Sequence, residues 1–222
     1  LEILGYEKGR YDIISPNDHA NMGQSTNDVF PCAIHITANF LGKVLIEEFE
    51  KTEAAFRAKA EEFRTVIKMG RTHLQDAVPI TLGQEFNAYA NVCRRCIERL
   101  EVSLKKLCAI NAGATAVGTG LNADPEYIDR CVKFAAEITG LPLVGSADLV
   151  DGTQMCDEVC ELSSQMKTNA FAMIKIANDL RLMASGPKCG WYEIKLPARQ
   201  PGSSIMPGKV NPVMAEQLNQ TC

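Results

Sequence analysis

Residues 82–110 read LGQEFNAYANVCRRCIERLEVSLKKLCAI. Within them Phe86, Tyr89, Cys93, Cys96, Leu100, Ser103, Leu107 and Ile110 recur at alternating steps of three and four. That spacing puts all eight on one face of an α-helix and predicts a helix from about Leu82 to Ile110. It also decides the CxxC made by Cys93 and Cys96. Both thiols fall on the core-facing stripe, where cysteine behaves as a small apolar residue rather than a metal or redox ligand.

The other long helices lie where proline is absent. Residues 32–78, 80–124 and 143–186 contain none, and such stretches favour unbroken helices. A first helix should begin near Asn27–Asp28, where STND (25–28) offers capping side chains and Pro31 falls in the first turn. Val29, Ala33, Ile36, Phe40 and Val44 give its apolar stripe, and the pattern runs on, more charged, to about Phe63. A shorter helix is capped by Asp124 with Pro125 at its first position and is closed by Gly140 and Pro142. Met155, Val159, Leu162, Met166, Ala170, Met173, Ala177 and Leu180 predict a long helix over about Gln154–Ala184, with Cys156 and Cys160 flanking its stripe as structural residues. A last helix takes Asn211 as N-cap and Pro212 as first residue. No strand is convincing. The fold class is all-α, a long-helix bundle.

The chain has 222 residues, 46% of them hydrophobic and 23% charged, with a net charge of −4. That is a soluble globular balance, and it gives no reason to expect nucleic acid or an anionic membrane as partner. No apolar run approaches the roughly 18–20 residues that span a bilayer, and no signal-peptide pattern opens the chain. Nine cysteines, an odd number without a secretory signal, suggest reduced thiols and a cytoplasmic protein. The first residue is Leu1, and the chain stops inside a helical pattern. It reads as a fragment: residues 1–26 as the tail of an N-terminal helical domain, and 27–222 as a central long-helix bundle truncated at its C-terminus.

Three loops carry chemistry. PGSSIMPGKVNP (201–212) has glycines and a lysine, but five residues separate Gly202 from Gly208, Val210 follows Lys209, and no strand precedes it. It is therefore not a phosphate-binding Walker loop. Lys209 stands just before a helix N-terminus, where an ammonium, free N–H groups and the helix dipole suit a carboxylate. The plainer alternative is a Gly/Ser/Pro linker with a solvated lysine. GQSTND (23–28) packs hydroxyls and amides at a helix start, or is a simple capping box. GRTHLQDAVP (70–79) holds Thr72 and His73 among Arg71, Gln75 and Asp76. The first helix, roughly 37 residues, would be about 55 Å long. If it is straight and both flanking loops bind one small molecule, the site must be shared between subunits.

Together these loops resemble the aspartase/fumarase superfamily. GSSIMPGKVNP (202–212) is similar to its signature, and GQSTND and GRTHLQDAVPITLGQEF (70–86) to its other two regions. GATAVGTGLN (113–122) and KIANDLRLMASGP (175–187) match as well, all in family order. STND, HLQDAVP and ARQPGSSIMPGKVNPVMAE (198–216) resemble the aspartase branch, where class II fumarases more often carry SSND.

The resemblance implies conversion of L-aspartate to fumarate and ammonia by a homotetramer, each active site being built from three subunits around a small dicarboxylate. It makes Ser203 the general base that takes the Cβ proton. Thr72 and His73 would help hold the amino group and a carboxylate, and His73 is a candidate for activating Ser203. Asn27 would face the amino group, while Ser25, Thr26 and Ser204 would hold the β-carboxylate. Lys209 and Asn211 would hold the α-carboxylate. No organic cofactor is implied. Mg²⁺ activation occurs in some members, but no carboxylate cluster here specifies a metal site. KCGWYEI (188–194) departs from the family's RxGLxEI, with Trp191 and Tyr192 in place of small or aliphatic residues. Two other functions compete: a class II fumarate hydratase acting on L-malate, and a non-catalytic helical structural protein.

Overall fold

The computed structural model describes residues 1–222. Three long helices dominate it: α1 (Thr26–Glu62), α2 (Leu82–Lys106) and α5 (Asp157–Met183). A hairpin, β1 (Ile67–Thr72) and β2 (Gln75–Thr81), joins α1 to α2. Between α2 and α5 come β3 (Ala109–Ile110), α3 (Pro125–Thr139), β4 (Val144–Gly145) and α4 (Leu149–Gln154), and α6 (Val213–Thr221) closes the chain. The all-α, long-helix class holds. The chain divides into two compact units, Leu1–Ile46 with Glu101–Leu162, and Glu47–Leu100 with Ser163–Cys222.

The stripe of α2 is buried as its spacing requires: Cys93, Cys96 and Leu100 are fully enclosed. Burial pushes the Cys93 thiol up to about 11 and raises that of Cys96, so both stay protonated and inert near neutral pH. The helix itself stops at Lys106, four residues early. Leu107 and Ile110 keep the spacing but bury outside it, because the backbone there pairs with β4: Val144 and Ser146 N–H donate to the Cys108 and Ile110 carbonyls at 2.9 Å. Cys32, Cys108, Ile110, Leu141 and Leu143 form the core of the first unit. In the second unit Phe56, Phe63, Phe86 and Tyr89 pack ring against ring, with centroids 5.3–6.1 Å apart.

The inward face of α1 is not the one its apolar residues predict. Val29, Phe40 and Val44 are exposed, while Asp28, Cys32, Asn39, Phe49 and Glu53 are buried. The reason is that this face packs closely through small or polar groups of its own. A Cβ on Gly42 would lie 2.6 Å from the Leu104 side chain, and Glu53 is paired with Arg57 and Arg94 at 3.2 and 2.8 Å. The exposed residues leave α1 with an 18-residue window of mean hydropathy 1.5, only 11% buried. By length and composition alone that window could cross a bilayer, which corrects the expectation that no run approaches this length.

Pro31 sits inside α1, in its second turn, and the helix starts one residue earlier than predicted. A proline there leaves the carbonyl four residues back without its helical partner. That carbonyl belongs to Asn27, and the Asn111 side-chain amide donates to it at 3.1 Å. The helix predicted over about Gln154–Ala184 is α5, which starts three residues later at Asp157 because Met155 adopts an extended backbone after α4. Cys156 and Cys160 are exposed rather than packed.

Candidate active site

The STND segment forms a capping box. Ser25 Oγ accepts the Asn27 N–H at 3.1 Å, and Asp28 Oδ1 accepts the Ser25 N–H at 2.9 Å. Asp28 does more than cap. Its Oδ2 accepts the Thr115 N–H at 3.1 Å, so one buried carboxylate ties this segment to GATAVGTGLN. There Thr115 has φ 59°, and a Cβ on Gly118 would lie 2.4 Å from the Val150 Cα. Only glycine allows so close an approach. Asn27 donates from Nδ2 to the Ala116 carbonyl at 2.7 Å. Thr26, Asn27, Ala116, Thr153 and Gln154 line a cleft of about 550 Å³ in the first unit.

Thr72 and His73 are on a hairpin, where the sequence suggests a loop. Thr72 pairs with Gln75 across the turn, and His73 and Leu74 take φ of 53° and 63°. Positive φ at both central residues suits the right-handed twist of a two-residue hairpin. It is costly for leucine, and such strain concentrates at functional positions. The hairpin is bulged between Met69 and Arg71. A Cβ on Gly70 would lie 2.8 Å from the Val78 carbonyl, which explains the glycine.

His73 lines a cavity of about 400 Å³ with Lys68, Arg71, Tyr89, Asp179 and Trp191. Its charges are mutually paired. Lys68 bridges Glu85 and Glu193, each at 2.8 Å, and Arg71 pairs with Glu193. Burial works to raise the Glu193 carboxyl, but the hydrogen bonds from Arg71 and Lys68 outweigh it and hold the group below its ordinary range. Tyr89 donates to Asp179 Oδ2 at 3.0 Å. Burial, then the Asp179 charge, raises its phenol.

The 201–212 loop doubles back on itself. A Cβ on Gly202 would lie 1.7 Å from the Lys209 carbonyl oxygen, so glycine is obligatory where the two arms meet. Met206 N–H donates to the Ser203 carbonyl at 3.1 Å, Lys209 N–H to the Met206 carbonyl at 3.2 Å, and Gly208 turns at φ 88°. Ser203 is half-buried at the stem, while Ser204 and Lys209 are exposed. Asn211 is not the cap of α6. The helix starts at Val213 with Pro212 at the cap position and no side-chain cap, and the Val213 N–H uses the Asn211 carbonyl at 2.9 Å. Capping therefore does not consume the Asn211 side chain. Lys209 and Asn211 line a cavity of about 850 Å³ with Arg181, Ser185, Lys195 and Gly208.

Ser25, Thr26 and Asn27 are thus grouped in the first unit. In the second, Thr72 and His73 sit on the hairpin and Ser203, Ser204, Lys209 and Asn211 on the doubled loop. His73 and the Lys209–Asn211 pair line different cavities. The sequence reading missed the tie through Asp28 and the Ala116 acceptor. Their signal was the glycine pattern of 113–120, which marks close backbone approach. No three His, Cys, Asp or Glu side chains are placed to hold a metal ion.

A protein-family description, "Lyase", matches residues 2–222. The chain belongs to this lyase family. It is 62% identical over 220 residues to an aspartate ammonia-lyase of Bacillus subtilis (strain 168), covering 99% of this chain and 46% of that protein. Among solved structures it superposes with TM-score 0.95 and 47% identity on a fumarate lyase:delta crystallin from Brucella melitensis bound to cobalt, covering 100% of this chain and 48% of the other. A class II fumarase from Schistosoma mansoni gives TM-score 0.90 at 35% identity, covering 93% and 47%. The chain spans about half the length of the curated relatives it matches.

Proposed function

We propose that the protein containing this chain eliminates ammonia from L-aspartate to give fumarate. The observation that carries the reading is the orientation of Asn27. The Ala116 carbonyl can only accept, so it holds the Asn27 NH₂ and leaves Oδ1 as the free end of the amide. An acceptor at the cleft suits an ammonium, which can only donate. The identity to aspartate ammonia-lyases supports the same choice over the hydratase.

In this mechanism Ser203 takes the proton from Cβ. The electron pair of that C–H bond moves into the β-carboxylate, making an enediolate with extra negative charge. Donors fixed in advance on such a charge are worth about 3–4 kcal/mol each. Ser25, Thr26 and Ser204 are assigned to it, while Lys209 and Asn211 hold the α-carboxylate. Thr72 and His73 help hold the amino group and a carboxylate, Asn27 faces the amino group, and His73 is the candidate for activating Ser203. The enediolate collapses to the C=C bond, the C–N bond breaks, and ammonia leaves. A serine base needs a dry site, which closure of the doubled loop would supply.

No step is routed through a metal or organic cofactor. We assign the protein to the cytoplasm and to a homotetramer with shared sites. Within it the exposed apolar face of α1 packs against other subunits. The full-length protein, given L-aspartate or L-malate separately, should form fumarate from aspartate. Fumarate from malate alone would make it a hydratase.

A further inference from the structure

Trp191, the departure from the family pattern, has a partner in the structure. Its ring lies against the Arg71 guanidinium, 3.5 Å from ring centroid to Cζ. Glu193, two residues on, takes Arg71 with one carboxylate oxygen and Lys68 with the other. The Arg71 and Lys68 side chains are only 15% and 11% exposed. Arg71 is thus gripped on a flat face by an aromatic ring and at its edge by a carboxylate, a combination of stacking and edge pairing that suits a planar guanidinium better than a compact ammonium.

The grip has a rigid base. Trp191 N–H donates to Ser185 Oγ at 3.1 Å. Tyr192 N–H donates to the Ser185 carbonyl at 2.9 Å and Glu193 N–H to the Met183 carbonyl at 2.8 Å. A Cβ on Gly190 would lie 2.3 Å from the Ser185 carbonyl carbon, and Tyr192 is bent to φ 48°. Residues 190–193 are therefore stitched to the end of α5. What they grip is the residue next to Thr72 and His73, on a bulged hairpin with a strained turn.

We propose that Trp191 and Glu193 are positioning residues that clamp Arg71 and so fix where the hairpin holds Thr72 and His73. This rests on the reading that Thr72 and His73 touch the substrate. A turn that holds Leu74 at positive φ, at a cost in backbone strain, needs an external restraint, and the clamp is that restraint.

The test uses the full-length protein with Trp191→Leu, Trp191→Phe and Arg71→Lys. Trp191 is 39% exposed, so both replacements leave the core intact. Trp191→Leu removes the flat face and should lower kcat/KM for L-aspartate roughly tenfold, chiefly through KM, the size expected for a stacked cation. Trp191→Phe should restore most of the loss. Equal kinetics for Trp191→Leu and the parent, or equal damage from both replacements, would overturn the clamp.

A second readout does not need the reaction. The fluorescence contribution of Trp191, obtained by subtracting the Trp191→Phe spectrum, should shift when Arg71→Lys is introduced. An unchanged contribution refutes the clamp. A shift in a protein that does not turn over aspartate refutes the proposed activity and leaves the clamp standing.

Discussion

The Asn27 carbonyl shows how a single residue decides local structure. Pro31 removes one N–H from α1 at its sixth position, and a helix interior normally does not tolerate that. Here the orphaned acceptor is taken by Asn111, itself 2% exposed and also donating to Thr153 Oγ1 at 3.0 Å. Asn111→Ala leaves the Asn27 carbonyl without its protein donor at the edge of the proposed site. We expect it to cost about 1–3 kcal/mol of stability, the range for an acceptor left unsatisfied. Chemical denaturation checks this, and an unchanged midpoint would contradict it. Nothing in the sequence near Pro31 announces Asn111, which lies far along the chain. The start of α1 was legible to within a residue or two, and the repair at Pro31 was not.

At the scale of elements, α2 and the doubled loop show opposite degrees of legibility. The stripe from Phe86 to Ile110 is apolar and periodic, so its buried face can be read directly. The buried face of α1 carries Asp28, Asn39 and Glu53, so apolar periodicity pointed to the wrong side. The hairpin escaped because His73–Leu74 is not one of the turn pairs that favour positive φ. Gly70 and Pro79 also break the alternation that marks strands. The loops proposed for the site stood out by their chemistry, and the roles proposed for their residues came only from resemblance.

The doubled loop and the Glu193 ion pairs can each be tested. Gly202→Ala places a methyl group on the Lys209 carbonyl and must open the loop stem. Turnover should fall on the order of 100-fold, the cost of about 1 Å of misplacement, while the melting temperature barely moves because the loop is peripheral. Full activity in the variant would contradict the doubled loop. The second concerns Glu193, whose folded pKa lies below its ordinary value of 4.5. Its contribution is therefore fully present above about pH 4.5 and is lost as pH falls through the depressed folded value. Glu193→Gln should lessen the acid-side loss of stability in melts taken from about pH 6 to about pH 3. A pH dependence identical to the parent's would contradict it.

For the whole molecule, two features point toward assembly. The 37 residues of α1 span about 55 Å, with the STND segment at one end and the hairpin following the other. The same helix exposes Val29, Phe30, Phe40, Leu41 and Val44. An exposed apolar stripe over 29–44 is at home against other helices rather than water, which is why a shared-site oligomer is the assembly we propose. The measurement that goes most directly to the central claim is turnover of L-aspartate by full-length Ser203→Ala, with its assembly followed by sedimentation. Fumarate formation should be abolished while the oligomer is unchanged. Fumarate formed at the parent rate by an intact oligomer would remove Ser203 as the base and contradict the account.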